Sequence, residues 1–214
     1  PDSLAEQIAH HLAERIIRGD LKPGERIQEQ KVTLALNVSR GSVREALLSL
    51  ERRHLIAILP RRGAHVTELT AHKVQSLCTL MGELYILLGN AVAQGWQTQA
   101  DMAPFMQIQQ RLIASFERQD IRSFVEESFS VMRAASPFAN NPDRKETVEN
   151  LQPAMNRAYY LALDQRKASM SEYLALFEQL LAAVLARDLP QIRQVLSAYG
   201  ERSCSLVIAA LADA

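Results

Sequence analysis

The sequence predicts a mostly α fold in two parts, and three patterns predict it. Apolar residues recur at helical spacing over most of the 214 residues. Two short β-prone runs flank a Pro-Arg-Arg-Gly turn at residues 60–63. After Thr70 no further β signal appears, and the chain reads as a bundle of about six helices. The length exceeds one typical domain, so a division near Glu68 is expected, into residues 1–68 and 69–214.

Leu4, Ile8, Leu12, Ile16 and Ile17 open the chain as an amphipathic helix, with Ser3 as its N-cap and Gly19 as its stop. The turn chemistry of residues 19–24 then leads to Arg26-Ile27, long enough only for an edge strand. A short helix follows over about residues 28–36. Asn37 suits a left-handed helix exit, and Ser39 caps a third helix reaching about Arg53. Two short helices joined by three or four residues form a helix-turn-helix, and the hairpin of residues 55–59 and 64–67 behind it is a wing.

The later helices are expected at about 70–95, 101–118, 120–136, 143–166, 170–187 and 189–212. Capping boxes are predicted from Thr98 to Asp101 and from Ser169 to Glu172, with Asp188 as a further N-cap. Residues 136–142 read as a loop within the bundle.

Composition is ordinary for a globular chain, 48% hydrophobic and 22% charged, with no net charge. Its distribution is more telling. Between residues 40 and 62 the six arginines Arg40, Arg44, Arg52, Arg53, Arg61 and Arg62 face only Glu45 and Glu51, which suggests an edge that meets a polyanion. The uninterrupted apolar runs are shorter than a membrane span, no signal peptide is evident, and Cys78 and Cys204 form no short-spaced pair. A cytoplasmic protein without membrane contact is expected. Phosphate loops, nucleophile elbows and metal quartets are lacking, so no enzyme and no cofactor are predicted.

The chemistry concentrates at the third helix. A helix-turn-helix puts the start of its second helix into the major groove, and here that start reads Ser39-Arg40-Gly41-Ser42-Val43-Arg44. Arg40 and Arg44 share one face, while Val43, Ala46, Leu47 and Leu50 form the inward stripe. Arginine suits bidentate contact with guanine or phosphate, and Ser39 and Ser42 add hydrogen-bonding hydroxyls. Arg61, Arg62, Gly63 and His65 are the expected DNA-facing residues of the wing. The alternative reading is a helical interaction protein whose winged helix binds a protein partner and whose second domain is ligand-free core.

The runs Gly19-Asp20-Leu21-Lys22-Pro23-Gly24-Glu25-Arg26-Ile27, Val38-Ser39-Arg40-Gly41-Ser42-Val43-Arg44-Glu45-Ala46-Leu47 and Arg62-Gly63-Ala64-His65-Val66 resemble the winged helix-turn-helix of the GntR family of bacterial regulators. The resemblance covers residues 4–67 and departs at Gly41, where the family more often carries a side chain. The remainder is similar to the helical FCD domain of the FadR-like branch. That resemblance implies a homodimer on a palindromic double-stranded operator, acting as a repressor under small-molecule control. It also implies a metal site of one acid and three histidines, whose positions fall on Glu126, Ser130, Phe177 and Tyr199, with no histidine among them. All five histidines lie at or before residue 72, so no metal is expected. Met81, Tyr85, Glu126, Ser130, Arg133, Phe177 and Tyr199 are predicted instead to line an effector pocket that takes a ligand of apolar character.

Overall fold

The computed structural model describes residues 3–213. In order, the chain forms α1 (Leu4–Ile17), β1 (Arg26–Ile27), α2 (Glu29–Leu36), α3 (Arg40–Arg52), β2 (Ile56–Leu59) and β3 (Gly63–Val66). Next come α4 (Ala71–Gly95), α5 (Gln99–Glu117), α6 (Ile121–Ala135) and a 3-10 turn (Ser136–Phe138). The chain continues with α7 (Pro142–Leu161), α8 (Leu163–Lys167), α9 (Met170–Leu185) and α10 (Leu189–Ala212). Contacts group these elements into two units. One holds the chain up to Thr70 together with Glu149–Leu161, the other Ala71–Val148 together with the chain from Ala162 onward.

In the first unit the caps form as the sequence predicts. Ser3 Oγ accepts from the Glu6 N–H at 3.2 Å, and Ser39 Oγ accepts from the Ser42 N–H at 3.1 Å, each filling one of the empty donors of a first turn. Asn37 takes the left-handed conformation, φ 52° and ψ 49°, and turns the chain sharply between α2 and α3. Ile8, Leu12 and Ile16 of α1 pack with Val43, Leu47 and Leu50 of α3. Leu55 and Ile56 close that core from the hairpin side. Fully burying each such leucine or isoleucine contributes about 1.5 to 3 kcal/mol. Helix α2, by contrast, has no fully buried residue.

The sheet is antiparallel in the order β1-β3-β2, with Arg26 opposite His65 and Leu59 opposite Gly63. Thr67, just past β3, donates its hydroxyl to the carbonyls of His54 and Leu55 and accepts from Arg157 Nη1 at 2.9 Å. Burial pulls the Arg157 pKa down to about 10, against the opposing pull of Glu68. Arg157 belongs to the α7 segment that groups with this unit.

Glu6 links α1 to α3, accepting from the Ser49 hydroxyl at 2.9 Å and from Arg53 Nη2. Burial pushes its pKa up, but the Ser49 hydrogen bond and the Arg53 charge together outweigh this and hold it below the ordinary carboxylate value. A carboxyl with a depressed folded-state pKa contributes stability that is present above its unfolded pKa and is lost as pH falls through the folded one. Glu6→Gln should therefore lower the neutral plateau of a melting-temperature profile and flatten its acid limb, the two proteins converging at low pH. An acid limb identical to that of the parent chain would remove Glu6 from the account.

In the second unit α4 and α10 lie along one another, and Gly89 lets them approach: a Cβ there would sit 3.0 Å from Ile192 Cγ2 and 3.1 Å from Leu196 Cδ1. Both helices are long and apolar enough, by length and composition, to cross a bilayer, although neither carries one long uninterrupted apolar run. Their packing on each other and on α9 explains that composition as core, with Val74, Met81, Leu88 and Val92 of α4 and Ile192, Val195 and Val207 of α10 all buried. Arg187 meets the end of α4, donating to Gln94 O at 3.4 Å and, just past the helix, to Trp96 O at 2.9 Å, and lies 4.8 Å from the centroid of the Trp96 ring.

Three expectations need correction. The helix expected over 143–166 is two helices, because the chain leaves helical geometry at the buried Ala162. The capping box from Thr98 forms, with Asp101 accepting from the Thr98 N–H at 2.9 Å. The one from Ser169 does not, since Arg202 takes both partners: it donates to Ser169 Oγ at 3.2 Å and pairs with Glu172 at 3.2 Å. The loop of residues 136–142 contains a 3-10 turn at its start.

Candidate nucleic-acid interface

The start of α3 is aimed outward by its own periodicity. With Val43, Ala46, Leu47 and Leu50 buried, Ser39, Arg40 and Arg44 are left exposed and Ser42 half-buried. The Ser39 and Ser42 hydroxyls lie 2.9 Å apart, one donating to the other, while Ser39 Oγ also accepts from the Ser42 N–H. Arg44 Nε is 3.0 Å from Glu29 Oε2 in the first turn of α2, with the arginine side chain still 70% exposed.

At the wing, Arg62 N–H bonds to Leu59 O at 3.1 Å, closing a turn with Pro60 and Arg61 in its centre. Pro60 suits the first central position and Arg61 takes φ 61° at the second, the region normally reserved for glycine. Gly63 follows at φ 83°. Arg61 and Arg62 are both exposed. His65 is placed differently, because its ring nitrogens lie 3.2 Å from Gly24 O and 3.2 Å from Arg62 O and so brace the wing against the turn before β1.

Two residues of this surface escape a reading of the sequence. Arg26 is exposed on β1 opposite His65, its guanidinium 3.7 Å from where a Gly63 side chain would begin, which adds a cation to the wing. Its alternation with the buried Ile27 was the available signal. Glu29 is the other, a carboxylate beside the reading helix.

Holding a non-glycine residue in the left-handed region costs about 1 to 2 kcal/mol. Arg61→Gly should relieve that cost, keeping or raising the melting temperature while weakening DNA binding and making it less dependent on salt. Unchanged binding would take Arg61 out of the interface.

The seven residues expected to form an effector pocket fall in the second unit but do not gather round one cavity. Tyr85 and Phe177 border an apolar cavity of about 40 Å³ together with Leu88, Val92 and Leu196. Tyr199 borders another, of about 20 Å³, and its ring centroid is 6.5 Å from that of Tyr85. Met81 is wholly buried, whereas Glu126 and Arg133 are exposed on α6, where Arg133 donates to Ser130 Oγ at 2.7 Å. A cavity of this size takes one or a few waters, so any larger ligand requires side chains to move. The metal of the wider family does not fit: Phe177 offers no donor atom, and among the described residues no three of His, Cys, Asp and Glu converge.

Comparisons with known proteins agree with this geometry. Residues 4–66 match the model for bacterial regulatory proteins of the gntR family, and residues 88–202 match the FCD domain. The chain is 26% identical to the HTH-type transcriptional repressor RspR of Escherichia coli K12 over 162 residues, 74% of this chain and 69% of the relative. It is 25% identical to the HTH-type transcriptional regulator McbR of the same organism over 206 residues, 96% of this chain and 93% of the relative. The solved structure of E. coli McbR/YncC superposes with a TM-score of 0.82 at 22% identity, covering 97% and 98% of the two chains. A GntR transcriptional regulator from Rhodococcus sp. RHA1 gives 0.75 at 21% identity, covering 96% and 97%. A basic recognition helix, a basic wing and an FCD-type bundle in one chain place this protein in the GntR family of DNA-binding transcriptional regulators.

Proposed function

We propose that this chain is a cytoplasmic, ligand-responsive repressor that binds a palindromic operator as a homodimer. In this reading residues 1–68 bind DNA and residues 69–214 dimerise and receive the effector. The observation that carries it is the outward pair Arg40 and Arg44 at the start of α3, beside a wing that presents Arg26, Arg61 and Arg62. Two-fold pairing follows from the physics of a small module: one winged helix makes few base contacts, and two linked copies on a symmetric site multiply a weak interaction. Repression is supported by the name of the relative RspR.

The test is a titration of operator DNA at several salt concentrations. If each protomer touches several phosphates, the affinity should fall steeply as salt rises, with a logarithmic slope of about −0.9 per neutralised phosphate. Binding half a palindrome should be far weaker than binding the whole. Affinity indifferent to salt would overturn the reading and favour a winged helix that docks on a protein.

A further inference from the structure

Cys78 of α4 and Cys204 of α10 are free thiols, and both are buried. They lie far apart in the sequence, yet three contacts set the register in which their helices pack. Gly89 stands against Ile192 and Leu196, the Tyr85 ring lies 6.5 Å from that of Tyr199, and Gln75 Oε1 accepts from Cys204 Sγ at 3.5 Å. Positions that fall along α4 thus meet positions that rise along α10, so the pair is antiparallel. Cys78 follows Gln75 by one turn on the same face and comes level with Cys204.

Packed helices run about 8 to 10 Å apart with their Cα atoms about 2.3 Å from the axis, so facing Cα atoms lie within about 6 Å, a span that a disulfide bridges. The next turn leaves slack. Gly82 follows Cys78 by four residues and Gly200 precedes Cys204 by four, and a Cβ at either would meet nothing within 4 Å. Access comes from the side of Gln75, which is exposed and bonded to the Cys204 sulfur. Burial, and then the facing Cys204 thiol, push the Cys78 thiol up, so it stays protonated behind its partner. A disulfide carries no charge, so the burial that opposes a thiolate does not oppose the bond.

We propose that Cys78 and Cys204 are an oxidisable pair, a modification site at which a peroxide closes a reversible disulfide between α4 and α10. Cys204 loses its proton to water and attacks a peroxide oxygen, breaking the O–O bond and releasing one water. The Cys204 sulfenic acid then meets Cys78, whose sulfur displaces the hydroxyl as a second water while its own proton is lost. Two thiols give up two electrons and two protons, and one hydrogen peroxide becomes two waters. A thiol reductant opens the bond again by exchange. Both cysteines belong to the second unit, so the bond can be followed without DNA.

The experiment treats the folded whole chain with hydrogen peroxide, unfolds it in an alkylating reagent, separates it by non-reducing electrophoresis and maps the peptides by mass spectrometry. A Cys78–Cys204 bridge is expected in the single-chain band and should vanish with dithiothreitol. Closing so long a loop should raise the melting temperature by at least about 4 °C over the reduced chain. Cys78→Ala should leave Cys204 as a sulfenic acid that dimedone traps, whereas in Cys204→Ala the same dose should leave Cys78 open to alkylation. The proposal is overturned if both thiols of the treated parent chain remain alkylatable, if bridges form only between chains, or if the bridge forms only when the chain is unfolded first. A bridged chain that melts below the reduced one would show the sulfurs forced together and overturn it as well.

Discussion

Replacing Arg40 with alanine is expected to weaken specific operator binding by about 1 to 3 kcal/mol, roughly five- to 150-fold, with no loss of thermal stability. The side chain is exposed at the first position of α3, and alanine is an equally good helix former there, so the fold has little to lose. If Arg40 reads a base, the loss should fall on the cognate operator and relax discrimination at one symmetric position. If it meets only phosphate, affinity should fall by a similar factor for every sequence. Fluorescence anisotropy against a set of single-base operator variants, with melting curves as control, tells these apart. Operator affinity unchanged in both Arg40→Ala and Arg44→Ala would remove α3 as the reading element.

Leu50→Ala should act through the opposite route. Leu50 has no exposed surface and sits where α1, α3 and the hairpin meet, and truncating such a leucine costs about 2 to 5 kcal/mol through lost burial and the cavity left behind. Domains are held by only about 5 to 15 kcal/mol, so a substantial part of the margin of the first unit should vanish. Denaturant unfolding followed by a probe in that unit should show an earlier midpoint. DNA affinity should fall only as the folded fraction falls, and should recover under stabilising conditions where that of Arg40→Ala does not. A midpoint shifted by less than about 1 kcal/mol would mean that the site collapses around the smaller side chain.

The first unit was more legible in the sequence than the second, for a physical reason. Its decisive signals are local: Ser3 and Ser39 cap within three residues, and Asn37 needs only its own backbone to turn the chain. Thr98 and Asp101 form their box for the same reason. Ser169 and Glu172 carry an equally good local pattern, yet Arg202, thirty residues on, captures both of them. Helix ends decided by a distant partner are invisible to a short window. The pocket shows this on a larger scale. Helical phase correctly marks Met81, Tyr85 and Phe177 as inward, but phase cannot tell which interior space each one reaches, nor that Glu126 and Arg133 face outward. The burial of Arg166 was missed because a charged residue in a helix reads as surface until packing buries it.

The ion pair between Glu29 and Arg44 bears on how such a helix chooses among sequences. Both side chains are well exposed, 70% for the arginine and 39% for the acid, so the pair is worth at most about 1 kcal/mol and DNA can displace it. To reach DNA, the guanidinium must leave a ready-made acceptor, and the cost is the same whichever sequence lies before it. A guanine offering two aligned acceptors outweighs that cost easily, while the diffuse charge of the backbone outweighs it less. Glu29 thus acts as an internal rival that lowers affinity by a similar factor for every sequence Arg44 engages, and leaves discrimination, which is set by differences between affinities, to the contacts made on the DNA side.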